Sequence, residues 1–160
     1  MSKKKILLTI VLLIAAMQVV VIKKSVPETG PELEYIQAER VPADIAGLIK
    51  ASCYDCHSYK TNYPWYSNIA PVSWILNNHI REGREHLNFS LWGEFSTKNQ
   101  QAIKRECMEV LGNNEMPLKS YRFMHAEARL SEKQKELLID WFNLQVEHFG
   151  HRPSELLSQP

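Results

Sequence analysis

One short run carries most of the chemistry in this chain: Cys53-Tyr54-Asp55-Cys56-His57. Two thiols three positions apart, followed at once by an imidazole, suit covalent attachment of a c-type haem. Each sulfur adds across one vinyl group while the imidazole turns under the iron. Cys53 and Cys56 are therefore candidate thioether residues, and His57 is the candidate proximal iron ligand. Two other chemistries use part of the same run. Structural zinc takes four ligands, and the remaining cysteine, Cys107, has no second CxxC beside it. A thioredoxin-type dithiol sits beside a βαβ pattern, which this sequence does not show.

A haem iron has a second axial position, and Met116 is the candidate to fill it. It follows the helix stop Gly112-Asn113-Asn114 and precedes Pro117, so its thioether is presented from a restricted, irregular strap. A neutral sulfur ligand favours ferrous iron and raises the potential. Met124 and His125 compete from the same segment, while Met108 lies on a helix and suits packing. Five aromatics recur between Tyr59 and Trp74, and of these Trp65 and Trp74 are candidate walls for a flat porphyrin. Arg81, Arg84 and His86 could pair with propionates, although a solvated charged face is the plainer reading. His79 falls on an apolar helix face, where a hydrogen-bonded core histidine is commoner than a ligand. Cys107, on the stripe Ile103, Cys107, Val110 and Leu111, reads as a buried, inert thiol.

The elements that must position these groups are helical. Pro42 opens a short amphipathic helix through Ile45, Leu48 and Ile49 that ends at the haem motif. A second helix follows Pro71, with Val72, Ile75, Leu76, His79, Ile80 and Gly83 on one face. A third begins at a cap on Ser96 or Thr97. A fourth follows the capping box Ser131/Gln134, with Leu137, Leu138, Trp141 and Leu144 on one stripe. No repeat, phosphate-binding glycine loop or Ser/His/Asp signature is present.

The amino-terminal end differs in kind. Ile6 to Ile22 is interrupted only by Thr9 and Gln18 and is flanked by Lys3–Lys5 and by Lys23 and Lys24. It reads as an uncleaved transmembrane anchor over 1–24, since no good signal-peptide cleavage site follows it. Residues 25–40, with Pro27, Gly30, Pro31 and several glutamates, read as a linker. The haem domain then spans 41–147, and a loosely held tail runs over 148–160. The 160 residues carry a formal charge of +1, but removing those five lysines from the 19 basic residues leaves 14 against 18 acidic ones. A mildly acidic domain argues against nucleic acid as a partner and permits steering toward a basic redox protein.

Several segments carry a family likeness: Ser52–Ser58, Tyr63-Pro64-Trp65-Tyr66, Ala70-Pro71-Val72-Ser73-Trp74, His79–Arg84, Leu87–Ser90 and Met116-Pro117-Leu118. Together they resemble the bacterial haem-binding domain family of membrane-anchored, single-haem c-type proteins. The resemblance covers roughly residues 35–142. It implies an all-α, small cytochrome c-like domain behind the transmembrane helix, with haem c as cofactor, His57 proximal and Met116 distal. It also implies that the carbonyl of Pro71 accepts the His57 Nδ1 proton. Because bacterial thioether attachment takes place outside the cytoplasmic membrane, the domain is expected on the periplasmic side. The expected function is one-electron transfer to or from redox partner proteins. The alternatives are a peroxidase-type enzyme, with His79 or His86 as acid or base at an open iron, and a gas or redox sensor.

Overall fold

The computed structural model describes residues 2–20, 22, 24 and 26–150, with backbone alone over 148–150. Eight α-helices, joined by short 3-10 turns, account for every regular element among them. The expected tail beyond residue 150 lies outside the described residues. Residues 148–150 are instead the last of helix α8, Glu132–Gly150.

The all-helical expectation holds, but the transmembrane anchor over 1–24 does not. Helix α1 spans only Lys3–Met17, 15 residues, or about 22 Å against a hydrocarbon core of about 30 Å. No helix among the described residues is long and apolar enough to cross a membrane. The helix ends before Gln18, whose side-chain amide docks on the folded domain. Its Nε2 donates to the Ala70 carbonyl at 3.1 Å, and its Oε1 accepts from the Ala70 N–H at 3.0 Å. Lys24 then donates to Ser67 Oγ at 2.7 Å and to Asn68 Oδ1 at 2.6 Å.

The linker expected over 25–40 is also corrected. Pro31–Leu33 forms a 3-10 turn and Tyr35–Ala38 a one-turn helix, α2. Tyr35 is fully buried against Phe89, Trp92 and Phe142, and its hydroxyl accepts from Trp141 Nε1 at 2.9 Å. A proline- and glutamate-rich composition concealed one aromatic anchor, and burying a tyrosine outweighs the solubility of its neighbours.

Helix α3, Ala43–Ser52, buries Ile45, Ala46 and Ile49 on one face. Helix α4, Tyr54–His57, is the single turn that follows it, and α5, Val72–His86, packs across α4. Helix α6, Thr97–Gly112, is capped by Ser96 Oγ, which accepts from the Asn99 N–H at 3.3 Å. It ends where Asn114 takes a φ of 60°, a conformation asparagine tolerates. Short helix α7, Lys119–Met124, leads to α8, which packs along α6. The capping box forms as expected, with the Ser131 N–H donating to Gln134 Oε1 at 2.8 Å. The buried stripe of α8, however, is Leu138 and Phe142, while Leu137 and Leu144 stay exposed. Between α2 and α6, Lys104 is buried with its Nζ 3.0 Å from Glu39 Oε1, and the same oxygen accepts from Trp92 Nε1 at 2.8 Å.

Candidate functional site

Cys53 closes α3 and opens α4, and its φ of −124° turns the chain so that the two spacer residues point in opposite directions. Tyr54 faces inward. Its ring stacks on Phe89 with centroids 5.2 Å apart, and its hydroxyl donates to the buried Glu34 carboxylate. Asp55 faces outward, accepting from the Asn62 N–H at 2.8 Å and from the Tyr121 hydroxyl at 2.7 Å. One spacer thus roots the turn in the core while the other ties it to α7.

From the other side α5 presents Gly83, where a Cβ would meet the Cys56 carbonyl oxygen at 2.8 Å. Only a glycine lets the two backbones come this close. The approach brings the end of α5 over His57. Leu87, just past the last turn, has a carbonyl with no helical partner, and this oxygen lies 3.2 Å from His57 Nδ1. The pairing places a proton on Nδ1 and leaves the Nε2 lone pair for a metal. Burial holds the His57 imidazole below its ordinary 6.5, with the Leu87 and Gly83 carbonyls pulling weakly the other way. It is therefore neutral near pH 7, as a ligand must be.

Cys53 and Cys56 are unpaired, and burial pushes both thiols up to about 11 from 9.0. Cys56 lines a narrow crevice with Asp55, Tyr66, Leu76, Ile80, Tyr121 and His125. A larger cleft, about 550 Å³, opens between His79 on α5 and the strap residues Asn113–Glu115 and Leu118–Ser120. Met116 sits half-buried between those two runs, its N–H donating to the Val110 carbonyl at 3.2 Å, and a cis peptide joins it to Pro117. Among the described residues no three His, Cys, Asp or Glu side chains converge on a bare metal ion, which leaves a zinc reading of the CxxC without ligands.

A family model described as a haem-binding domain matches residues 11–144. The chain belongs to the haem-binding domain family. No curated protein and no solved structure matches it. As a haem-binding domain the protein binds haem, and its donor set fits that group. A neutral imidazole offers one nitrogen, and two unbridged thiols lie on the same turn of chain. The cleft beneath the strap is lined by His79 and strap residues and by none of Cys53, Cys56 or His57, so it carries no part of this fit.

The other expected site residues divide. Pro71 is not the partner of His57: its carbonyl accepts from the Trp74 N–H at 3.0 Å to start α5, and Leu87 takes the role instead. Arg84 lies beside the motif but is committed to it structurally. Its Nε donates to the Ser58 carbonyl and its Nη2 to Thr61 Oγ1, both at 2.9 Å, with the guanidinium over the Tyr59 ring. Arg81 is exposed and pairs with Asn78. Trp65 is 74% exposed against Tyr66. Trp74 buries its Nε1 without a hydrogen-bond partner among the described residues. Met124 is half-exposed, and Met108 packs on the core. Cys107 also lies against the core, where burial pushes its thiol far up. The sequence reading missed the Leu87 carbonyl, Asp55–Tyr121 and the close approach at Gly83. A glycine inside a helical apolar face was the one available sign, since a backbone carbonyl carries no mark in the residue type.

Proposed function

We propose that this haem-binding protein is a c-type, one-electron carrier, with haem joined by thioethers to Cys53 and Cys56 and iron held between His57 and Met116. The observation that carries this reading is the His57–Leu87 pairing next to two free thiols. It prepares the ligand nitrogen and both nucleophilic sulfurs on one turn of chain. The haem supplies a one-electron iron couple. The chain orients His57, keeps it neutral, and offers Met116 from a strap tied to the motif through Tyr121 and Asp55. A six-coordinate iron resists small ligands, which suits electron transfer with redox partner proteins rather than peroxidase chemistry or sensing. Thioether attachment in bacteria takes place outside the cytoplasm, which supports a periplasmic location for the domain. The mildly acidic surface suits a basic protein partner and not nucleic acid.

The test is spectroscopic. Natively matured protein should keep its haem through acid acetone and give the pyridine haemochrome of a two-thioether haem. The oxidised form should show the weak near-infrared band of sulfur bound to ferric iron. Met116→Ala should abolish that band, lower the potential and open the iron to carbon monoxide, while Met124→Ala should do none of these. Rapid carbon monoxide binding by the unmutated ferrous protein would overturn the carrier reading in favour of an open site.

A further inference from the structure

His125 joins two hydrogen bonds that lead from solvent to the haem-attachment crevice. Its Nδ1 lies 2.9 Å from Glu127 Oε1, and its Nε2 lies 2.8 Å from the Tyr66 hydroxyl. The Glu127 side chain is 61% exposed and that of His125 only 13%, so Glu127 meets water while the imidazole is largely covered. The ring is also clamped flat against Tyr121, with centroids 4.3 Å apart. Tyr66, Tyr121, His125 and Cys56 line the same crevice. Neither Cys56 nor the axial-ligand reading of His57 and Met116 uses any of this.

We propose that Tyr66, His125 and Glu127 form a proton-uptake site beside the haem, so that the protein takes up one proton with each electron. The inference rests on the haem attachment through Cys56 proposed above. A carboxylate 2.9 Å from Nδ1 calls for a proton on that nitrogen, and in the neutral imidazole the Tyr66 hydroxyl donates to Nε2. When a reduced partner protein delivers one electron, the haem loses one unit of positive charge, and a nearby imidazole gains affinity for a proton. The proton comes from solvent and rests on Nε2, Tyr66 reverses from donor to acceptor, and Glu127 balances the imidazolium. Reoxidation releases electron and proton together.

The groups facing the imidazole act in both directions. Asp55 from α4, Glu127 and the hydroxyls of Tyr66 and Tyr121 accommodate the cation. Arg129, held by the Arg122 and Phe123 carbonyls, opposes it from beside Glu127. Helix α5 contributes only Leu76 and Ile80 to the crevice.

The test is the midpoint potential of the haem-loaded protein between about pH 5 and 8. One proton per electron changes the equilibrium constant tenfold per pH unit, which for a one-electron couple is about 59 mV. The unmutated protein should approach that slope over part of the range. His125→Gln should lose it, leaving only the shallow dependence of the haem propionates. Glu127→Gln, at an exposed position, should move the sloping region to lower pH, because the imidazolium loses its carboxylate. A flat unmutated profile, a slope that survives His125→Gln, or an unmoved Glu127→Gln profile would each overturn the proposal. The pyridine haemochrome separates the two levels. A two-thioether band with a flat profile refutes the proton site alone, whereas absence of that band refutes the attachment and the proton site with it.

Discussion

Replacing Gly83 by alanine tests whether the contact between α5 and the Cys53–His57 turn is as rigid as the geometry requires. The added Cβ would lie 2.8 Å from the Cys56 carbonyl oxygen, 3.2 Å from its carbonyl carbon and 3.3 Å from its Cβ. The first two are backbone atoms, so no side-chain rotation relieves them, and α4 must move away from α5. Overpacking of this kind costs about 1–3 kcal/mol. Alanine is also the better helix former, by about 0.8–1.0 kcal/mol, which offsets part of the loss and would blur a single measurement. Gly47 in α3 supplies the control, because a Cβ there meets nothing within 4 Å. Gly47→Ala gains the same propensity without the clash. The difference between the two variants thus isolates the contact, at about 1–3 kcal/mol, or a Tm gap of about 2–12 °C by thermal unfolding. Haem occupancy should fall as well. The His57 Nδ1–Leu87 bond is already 3.2 Å, the long end of the normal range, and moving α4 from α5 lengthens it. If Gly83→Ala proves as stable as Gly47→Ala and loads haem normally, the close approach does not position the motif.

Two further outcomes are expected. In haem-free protein, alkylation of Cys53 and Cys56 should accelerate about tenfold per pH unit from pH 8 toward 11, because burial pushes both thiols up to about 11. For an acid raised in this way, the stability contribution is full below the unfolded value of 9.0 and is lost as pH rises through 11. A rate plateau below pH 9 contradicts that burial. Lys104→Met should cost about 3–5 kcal/mol in denaturant unfolding, because it strands the Glu39 carboxylate, whose side chain is only 9% exposed. Adding Glu39→Gln, which removes the charge but keeps an acceptor for Trp92 Nε1, should recover much of the loss. Additive losses would mean the pair does not act as one unit.

How much of the site could be read in advance follows from the range of each interaction. The Cys53, Cys56, His57 candidates depend on spacing within five residues, and local spacing is a property of sequence. The same holds for the Ser131/Gln134 capping box, the Ser96 cap and the helix stop before Met116, all completed within one turn of chain. Helix α1 shows where local reading fails. Hydropathy over Ile6–Ile22 pointed to a span, but the helix ends at Met17 and the next residue, Gln18, is bonded to Ala70, 52 positions away. Tyr35 belongs to the core only because Phe89, Trp92 and Phe142 converge on it.

By itself the sequence determined the helical class, the candidate haem-attachment run Cys53–His57 and the strap that carries Met116, since each rests on short-range periodicity, spacing or capping. Only the tertiary structure decided which oxygen holds His57. Pro71 and Leu87 both offer carbonyls, but the first is consumed in starting α5 and the second is released where α5 ends. The packing of α5 on α4, permitted by the missing side chain at Gly83, selects between them. Likewise Asp55 with Tyr121, and Tyr66 with His125, are paired across 66 and 59 positions. Contacts at such separations depend on how helices pack, and packing is a property of the whole chain that no local pattern encodes.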